Sequence, residues 1–153
     1  MDKRKKNSRY QRVLKQLEEL TSPHPDPVSV MATIAAVLHH KFDYFFWTGF
    51  YLLKEGELTV GPYQGPVACI RLKKNTGVCW AGINSGESLI VPDVHKFPGH
   101  IACDSRSNSE IVVPLRDARG NIVGVMDVDS KELDSFDEVD RASLEKIVAL
   151  IPF

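Results

Sequence analysis

The side chains best suited to chemistry are a cysteine and an acid in one short segment. Cys103 follows a histidine and a Pro-Gly turn in HKFPGHIACDSRSNSEIVVPL, residues 95–115. Glu110 then opens an apolar run with the β-branched bias of a buried strand. Because loops held by rigid strands present reactive groups to clefts, the segment predicts a site. The alternative is that Cys103 is only a small apolar residue in a tight loop.

Two further acids follow at the end of the next predicted strand. Asp127 and Asp129 alternate with Val128, so their side chains point to the same face. The two strands flank the turn RDARGN and are predicted to form a hairpin, which brings Glu110 beside this end. Three crowded carboxylates raise the pKa of at least one, which can then donate a proton, while the others bind a cation such as an amino group. The alternative is that the aspartates only end a strand and that Glu110 is solvated.

An aromatic run supplies a candidate wall for the site. The segment FDYFFWTGFYLL, residues 42–53, predicts a strand that is buried on at least one face. If its pleat is unbroken, Trp47 and Tyr51 lie on one side and shape an apolar slot for a small group. Gly49 interrupts the run, so a bulge there could rotate this register.

The elements that must position these residues follow from the apolar periodicity. Helices are predicted at 10–20, 28–40 and 76–85, with a last helix that ends near 151 and begins at a capping box of Ser135 and Glu138. Further strands are predicted at 57–60, 67–72, 88–94, 111–115 and 122–128. This order indicates an α+β domain. The first and last helices should cover one face of the sheet, and the cysteine-bearing loops should lie over the other.

Composition narrows the class of protein. The 153 residues are 43% hydrophobic, which suits one domain over 1–153, and a net charge of −1 gives no basic field for nucleic acid. The basic residues near the start predict a frayed tail over 1–8. There is no signal peptide and no apolar run of membrane-spanning length, so we expect a soluble, cytoplasmic protein.

The cysteines Cys69, Cys79 and Cys103 are an odd set, so they cannot all pair within one chain. In a reducing compartment such a set favours reactive thiols or metal ligands over a structural framework. A zinc site is the weaker hypothesis, because the sequence has no CxxC pair and because His95 and His100 lie near only one cysteine. We therefore predict no metal.

Several segments together resemble a known family. In chain order they are FWTGFYLL, GPYQGPVACIRL, GVC, IVPDVHKFPGHIACDSRSNSEIVVPL and GVMDVDS. They look like the free methionine-(R)-sulfoxide reductases, whose members are single GAF domains. The resemblance runs from about Trp47 to the final helix. It implies a GAF-like fold: an antiparallel sheet of about six strands, with N- and C-terminal helices on one face and active-site loops on the other.

The resemblance also implies an activity, the reduction of free methionine-(R)-sulfoxide to methionine without a cofactor. Cys103 matches the catalytic cysteine, whose thiolate attacks the sulfoxide sulfur and becomes a sulfenic acid. Cys69 matches the resolving cysteine, which forms a disulfide that thioredoxin reduces. Cys79 matches the third, auxiliary cysteine. Trp80 stands where the family usually has glycine, which leaves the role of Cys79 open.

On this hypothesis the other residues acquire roles. Glu110 is the acid that polarises the sulfoxide oxygen, and Asp127 and Asp129 hold the substrate ammonium. Trp47 flanks the S-methyl group, with Tyr51 assisting. Backbone N–H groups at Ile101, Ala102 and Cys103 form a nest for the substrate carboxylate. Dimers are familiar in this family, so a homodimer is one expected form. The alternative function is a non-catalytic GAF sensor that binds a small ligand.

Overall fold

A computed structural model of the chain describes residues 1–100 and 103–153. These residues form four α-helices, six β-strands and a 3-10 helix at Val94–Lys96. The helices are α1 (Lys3–Thr21), α2 (Pro27–Lys41), α3 (Gly77–Ser85) and α4 (Glu138–Val148). The strands are β1 (Trp47–Lys54), β2 (Glu57–Gln64), β3 (Arg71–Leu72), β4 (Leu89–Val91), β5 (Ser109–Arg116) and β6 (Ile122–Ser130).

The strands build one antiparallel sheet in the order β3-β2-β1-β6-β5-β4. The β1–β2 turn uses Glu55 and Gly56, both with positive φ, and the β5–β6 turn uses Gly120 with a φ of 84°. Positive φ at a tight turn matches the right-handed twist of the two strands it joins. The predicted α+β class, the six-stranded antiparallel sheet and both hairpins are confirmed.

Helices α1, α2 and α4 cover one face of this sheet. Leu17, Ile34 and Leu144 come from these three helices, and all are fully buried. They share a cluster with Phe50 of β1 and Met126 of β6. The prediction that the terminal helices share one face is therefore confirmed.

The opposite face carries α3 and the long loops. Helix α3 lies close to the sheet because it has no side chain at Gly82. A Cβ atom there would lie 2.8 Å from Cγ1 of Val112 and 3.5 Å from Cγ1 of Val125. Any larger residue would push the helix away from the sheet. The close approach holds Cys79, on the first turn of α3, directly over the strands.

The N-terminus differs from the prediction. Helix α1 begins at Lys3, so most of residues 1–8 is helical instead of a frayed tail. Lys6 is only 3% exposed, and its Nζ lies 2.7 Å from Oδ2 of Asp140 and 3.3 Å from Oδ2 of Asp137. Tyr10 donates a further hydrogen bond of 2.7 Å to Asp140. These contacts anchor the basic segment to the start of α4.

The cap of α4 was also predicted wrongly. Asp137, not Ser135, is the N-cap, and it accepts hydrogen bonds from the N–H groups of Val139 and Asp140. The side chain of Asp140 in turn accepts a hydrogen bond from the N–H of Asp137. The capping box therefore lies two residues later than predicted. In the described part of the chain, no helix combines the length and the apolar character that crossing a membrane requires.

The third strand is shorter than predicted. Only Arg71–Leu72 pairs with β2, whereas 67–70 form a loop between Pro66 and the sheet. The carbonyl groups of this loop bond to inward-facing donors. Tyr51 donates to the carbonyl of Cys69 at 3.2 Å, and the N–H of Val60 donates to that of Ile70 at 2.8 Å. The loop is therefore fixed to the sheet without extending it.

Candidate active site

Strands β5 and β6 bring the three predicted carboxylates to one face of the sheet. Glu110 lies opposite Asp129 in the register, and Asp127 lies two residues before Asp129 on β6. Because alternate residues of a strand share a face, all three side chains project toward α3. Glu110 and Asp127 are each only 5% exposed. Two acids with little access to water thus lie beside a third, Asp129, that is partly exposed.

Burial controls the charge of this cluster. It raises the pKa of Glu110 well above the ordinary value of 4.5, and the charges of Asp127 and Asp129 raise it further. The pKa of Asp129 is also raised well above its ordinary value, by burial first and then by Asp127. Burial raises the pKa of Asp127 too. Since three like charges cannot all form without water, the cluster retains protons that it can donate.

One oxygen of the cluster is available to a ligand. Oδ1 of Asp127 is buried and accepts no hydrogen bond from the residues that the structure describes. A buried acceptor without a donor is unfavourable, so a bound ammonium or hydroxyl group would stabilise it. By contrast, Asp104 is satisfied, because Arg106 binds it at 2.6 Å and lowers its pKa to about 2.

Two of the three cysteines are bonded to each other. Cys69 and Cys103 form a disulfide with their Cα atoms 5.6 Å apart, although they lie 34 positions apart in the chain. Cys69 is half-buried in the loop before β3, and Cys103 is exposed. The pair implied by the family resemblance therefore lies at bonding distance.

The third cysteine is different in kind. Cys79 is free and buried, and its Sγ lies 4.0 Å from Oε1 of Glu110. Burial raises the pKa of this thiol well above its ordinary value, and the charges of Asp127 and Glu110 add to the effect. The thiol therefore stays protonated and is a poor nucleophile. The neighbouring Trp80 is buried, and its indole donates to the carbonyl of Leu72 at 3.4 Å.

Aromatic rings form one wall. The β1–β6 register is continuous, so Trp47 and Tyr51 share a face, and their rings stack with centroids 5.7 Å apart. The ring of Tyr63 of β2 also stacks on Trp47, with centroids 5.2 Å apart. The indole N–H of Trp47 donates to the carbonyl of Pro66 at 3.1 Å. The bulge considered at Gly49 occurs only between β1 and β2, so it does not rotate this face.

A single cavity of about 250 Å³ joins these groups. The predicted site residues that line it are Trp47, Tyr51, Cys69, Cys79, Cys103, Glu110, Asp127 and Asp129. Ile101 and Ala102, the predicted carboxylate nest, lie outside the described residues. The structure therefore brings together all the predicted site residues that it describes.

Among the polar side chains of this cavity that the sequence did not assign to the site, His100 stands out. His100 lines it, and its Nε2 is buried without a hydrogen-bond partner among the described residues. Burial lowers the pKa of His100, which favours a neutral ring. The signal was present, because His100 belongs to the PGHIACDS segment that carries the resemblance. A neutral imidazole N–H in this position can donate to an anionic group of a ligand.

The same acids form the one group of possible metal ligands found among the described residues. One donor atom each from Cys79, Glu110 and Asp127 lie within 4.8 Å of one another, and all three residues are buried. His95 and His100, the histidines that a zinc site near Cys103 would use, do not belong to this group. A cluster of acids with one ionised carboxylate also suits an ammonium group, so this geometry alone does not require a metal.

The arrangement combines three chemical capacities. It offers a proton donor in Glu110, an unsatisfied acceptor in Asp127 and a reversible bond between Cys69 and Cys103. The stacked rings add an apolar wall. A small zwitterionic molecule with one apolar end fits such a cavity, and redox chemistry at sulfur can act on it.

Known proteins with similar sequences include GAF domains and enzymes that act on a small sulfur compound. The GAF domain family profile matches residues 25–152. GAF domain-containing protein A of Dictyostelium discoideum is 47% identical over 99% of this chain and 95% of its own length. The free methionine-R-sulfoxide reductase of Escherichia coli is 40% identical over 80% of this chain and 73% of its own.

A solved structure shows the same similarity. The free methionine-R-sulfoxide reductase from Neisseria meningitidis, in complex with its substrate, is 41% identical to this chain. It superposes with a TM-score of 0.90 over 99% of this chain and 89% of its own. The sequence and the fold therefore agree, and the chain belongs to the free methionine-R-sulfoxide reductase family of GAF domains.

Proposed function

We propose that this chain reduces free L-methionine-(R)-sulfoxide to L-methionine. One observation carries the proposal: a bonded cysteine pair lines the same small cavity as a cluster of acids in which burial raises the pKa of Glu110. A ligand-binding sensor needs neither the pair nor its closeness to a proton donor. The names of the relatives in Escherichia coli and Neisseria meningitidis support the same substrate.

Cys103 is the nucleophile in this proposal. Its thiolate attacks the sulfoxide sulfur while Glu110 gives a proton to the oxygen, which is a poor leaving group until it is protonated. The oxygen passes to Cys103, which becomes a sulfenic acid, and methionine is released. The Cys69 thiol then gives its proton to the departing hydroxyl group and attacks Sγ of Cys103, so that the S–O bond breaks, water leaves and the disulfide forms. Cys79 has an auxiliary role, because its raised pKa disfavours the thiolate.

The acids and the aromatic rings hold the substrate. Asp127 and Asp129 receive the ammonium, which supplies the donor that Oδ1 of Asp127 lacks among the described residues. Trp47 flanks the S-methyl group, and Tyr51 supports it by stacking. Backbone groups at 101–103 bind the carboxylate.

The cycle needs an external reductant for the disulfide. We assign this role to thioredoxin, and we place the reaction in the cytoplasm, where a dithiol reductant is maintained. A homodimer is the proposed assembly. The proposed function involves neither nucleic acid nor a membrane, in keeping with a net charge of −1.

Thiol counting tests the proposal directly. The reduced protein has three thiols, and mixing it with methionine-(R)-sulfoxide should leave one, with one methionine released per chain. Cys103→Ser should release no methionine. Cys69→Ser should release one and then stop, with a sulfenic acid at Cys103. Cys79→Ser, the matched control, should keep both the single turnover and the disulfide.

Two results would count against the proposal. If the reduced wild-type protein bound the sulfoxide tightly but kept three thiols, the sensor hypothesis would replace the reductase. If Cys103→Ser still released one methionine per chain, the nucleophile would be assigned wrongly.

A further inference from the structure

Two exposed apolar side chains flank the resolving cysteine. Val67 is 84% exposed and Ile70 is 70% exposed, on either side of Cys69. The other strongly exposed large apolar side chains among the described residues are scattered at Met1, Leu20, Val28 and Leu133. We call Val67 and Ile70 the apolar pair. Apolar side chains grouped around a reactive bond indicate a contact surface more than single exposed ones do.

The loop presents the apolar pair in a fixed orientation. The carbonyls of Pro66, Cys69 and Ile70 accept hydrogen bonds from Trp47, Tyr51 and Val60, at 3.1, 3.2 and 2.8 Å. The polar backbone of the loop thus bonds to the sheet. The side chains of the apolar pair remain in solvent although the backbone beneath them is fixed. A preformed surface loses little conformational entropy on binding.

The surroundings of the pair carry positive charge. Lys73 and Lys74 follow in the chain, both are exposed, and neither forms an ion pair with any residue that the structure describes. The nearby Arg71 is already paired with Glu57 at 3.1 Å. A partner with acidic groups around an apolar contact would complement this arrangement.

We propose that the apolar pair, with Lys73 and Lys74 at its edge, is the docking surface for a protein dithiol that reduces the Cys69–Cys103 bond. This rests on the proposed function, because only a catalytic cycle needs the bond to be reduced repeatedly. We place the attack at Cys69, because breaking the bond there releases Cys103 directly as a thiolate, so the occupant must contact the residues on either side of Cys69. A C-x-x-C protein whose reactive thiol emerges from an apolar surface fits these requirements.

The exchange proceeds in two balanced steps. The first thiolate of the partner attacks Sγ of Cys69, a mixed disulfide forms, and the electron pair of the broken bond leaves on Cys103 as a thiolate. The second partner thiol loses its proton and attacks the partner's own sulfur in that mixed disulfide. Cys69 leaves as a thiolate and takes up the proton, while the partner is oxidised to its disulfide. Attack at Cys69 therefore returns Cys103 as a nucleophile.

The test measures reduction of the oxidised protein without any sulfoxide, with thioredoxin or with dithiothreitol as the reductant. In Val67→Ser/Ile70→Ser we expect the second-order rate with thioredoxin to fall about tenfold, since central apolar contacts dominate binding. The rate with dithiothreitol should stay within about twofold, because a small dithiol needs no docking surface. Val28→Ser/Leu133→Ser removes two equally apolar exposed side chains elsewhere and should change neither rate.

The outcomes separate this proposal from the one on which it rests. Equal thioredoxin rates in the wild-type protein and in Val67→Ser/Ile70→Ser would overturn the docking surface and leave the reductase intact. So would a wild-type protein that thioredoxin reduces no faster than dithiothreitol does. Failure of the reductase would show only in the separate thiol count with sulfoxide. A rate that falls equally with both reductants would mean that the substitutions alter the disulfide itself, which also overturns docking.

Discussion

Replacing Glu110 by glutamine should slow turnover strongly and stabilise the fold at the same time. Glutamine keeps the shape and an N–H donor but has no proton to release. Because Glu110 is 5% exposed and its pKa is raised, the wild-type carboxyl can protonate the sulfoxide oxygen. Losing a general acid typically slows a reaction by about 10² to 10⁴, so methionine release in Glu110→Gln should slow by this factor.

The stability effect follows from the same raised pKa. The folded state holds a proton on Glu110 that the unfolded state releases above the ordinary pKa of 4.5. The wild-type protein therefore loses stability as the pH rises from that value to the raised pKa. The slope is about 1.4 kcal/mol per pH unit for each such proton. Glu110→Gln lacks this proton, so its free energy of unfolding should depend less on pH and exceed that of the wild type at pH 7.

Urea unfolding of the oxidised protein, followed by tryptophan fluorescence from pH 5 to 8, measures the slope. Single-turnover methionine release from the reduced protein measures the rate. Glu87→Gln is the matched control, because Glu87 is exposed and lies outside the cavity, and it should change neither quantity. A Glu110→Gln variant that is less stable than the wild type at pH 7, or equally fast, would refute a protonated catalytic Glu110.

Three other predictions concern positions fixed by packing. Lys6→Ala should destabilise the fold by about 3–5 kcal/mol in thermal or urea unfolding, because it leaves buried Asp140 without its cation; exposed Lys5→Ala should have little effect. Gly49→Ala should raise the KM for sulfoxide, since its Cβ would clash with Cβ of Tyr63 and lie 2.7 Å from the Trp47 ring that Tyr63 stacks on; an unchanged KM would mean that the ring position does not matter. Trp47→Leu should raise KM by about tenfold with a smaller change in kcat, and a change in kcat alone would contradict its binding role.

The candidate site was largely predictable because its geometry depends on strand periodicity. Residues two apart on β6 share a face, and a short turn between β5 and β6 sets the register, so Glu110, Asp127 and Asp129 had to meet. The aromatic wall followed from the same period in β1. The closeness of Cys69 to Cys103 did not follow from spacing, because it depends on how two loops cross the sheet. That pairing came from the family resemblance alone.

The errors share a different cause. Lys6 looked like part of a solvated tail because its partner, Asp140, lies 134 residues away. The same distant contacts explain why the N-cap of α4 was predicted at the wrong residue. Lys6 and Tyr10 both donate to Asp140, so the capping box of α4 includes Asp140 and not Ser135. The strand at 67–72 was predicted too long because its apolar residues suggested burial, whereas Val67 and Ile70 point into solvent. Local patterns do not distinguish a buried apolar residue from an exposed one.

The cross-link between Cys69 and Cys103 closes a loop of 34 residues that contains β3, α3 and β4. Closing such a loop lowers the conformational entropy of the unfolded chain. This stabilises the folded state by about 4 kcal/mol at 25 °C. The catalytic cycle would therefore alternate between a more stable form with the disulfide and a less stable reduced form. Without reductant, the chain would remain in the form with the disulfide, which resists thermal unfolding and proteolysis better. A lack of reductant would thus stop catalytic turnover and at the same time stabilise the folded protein.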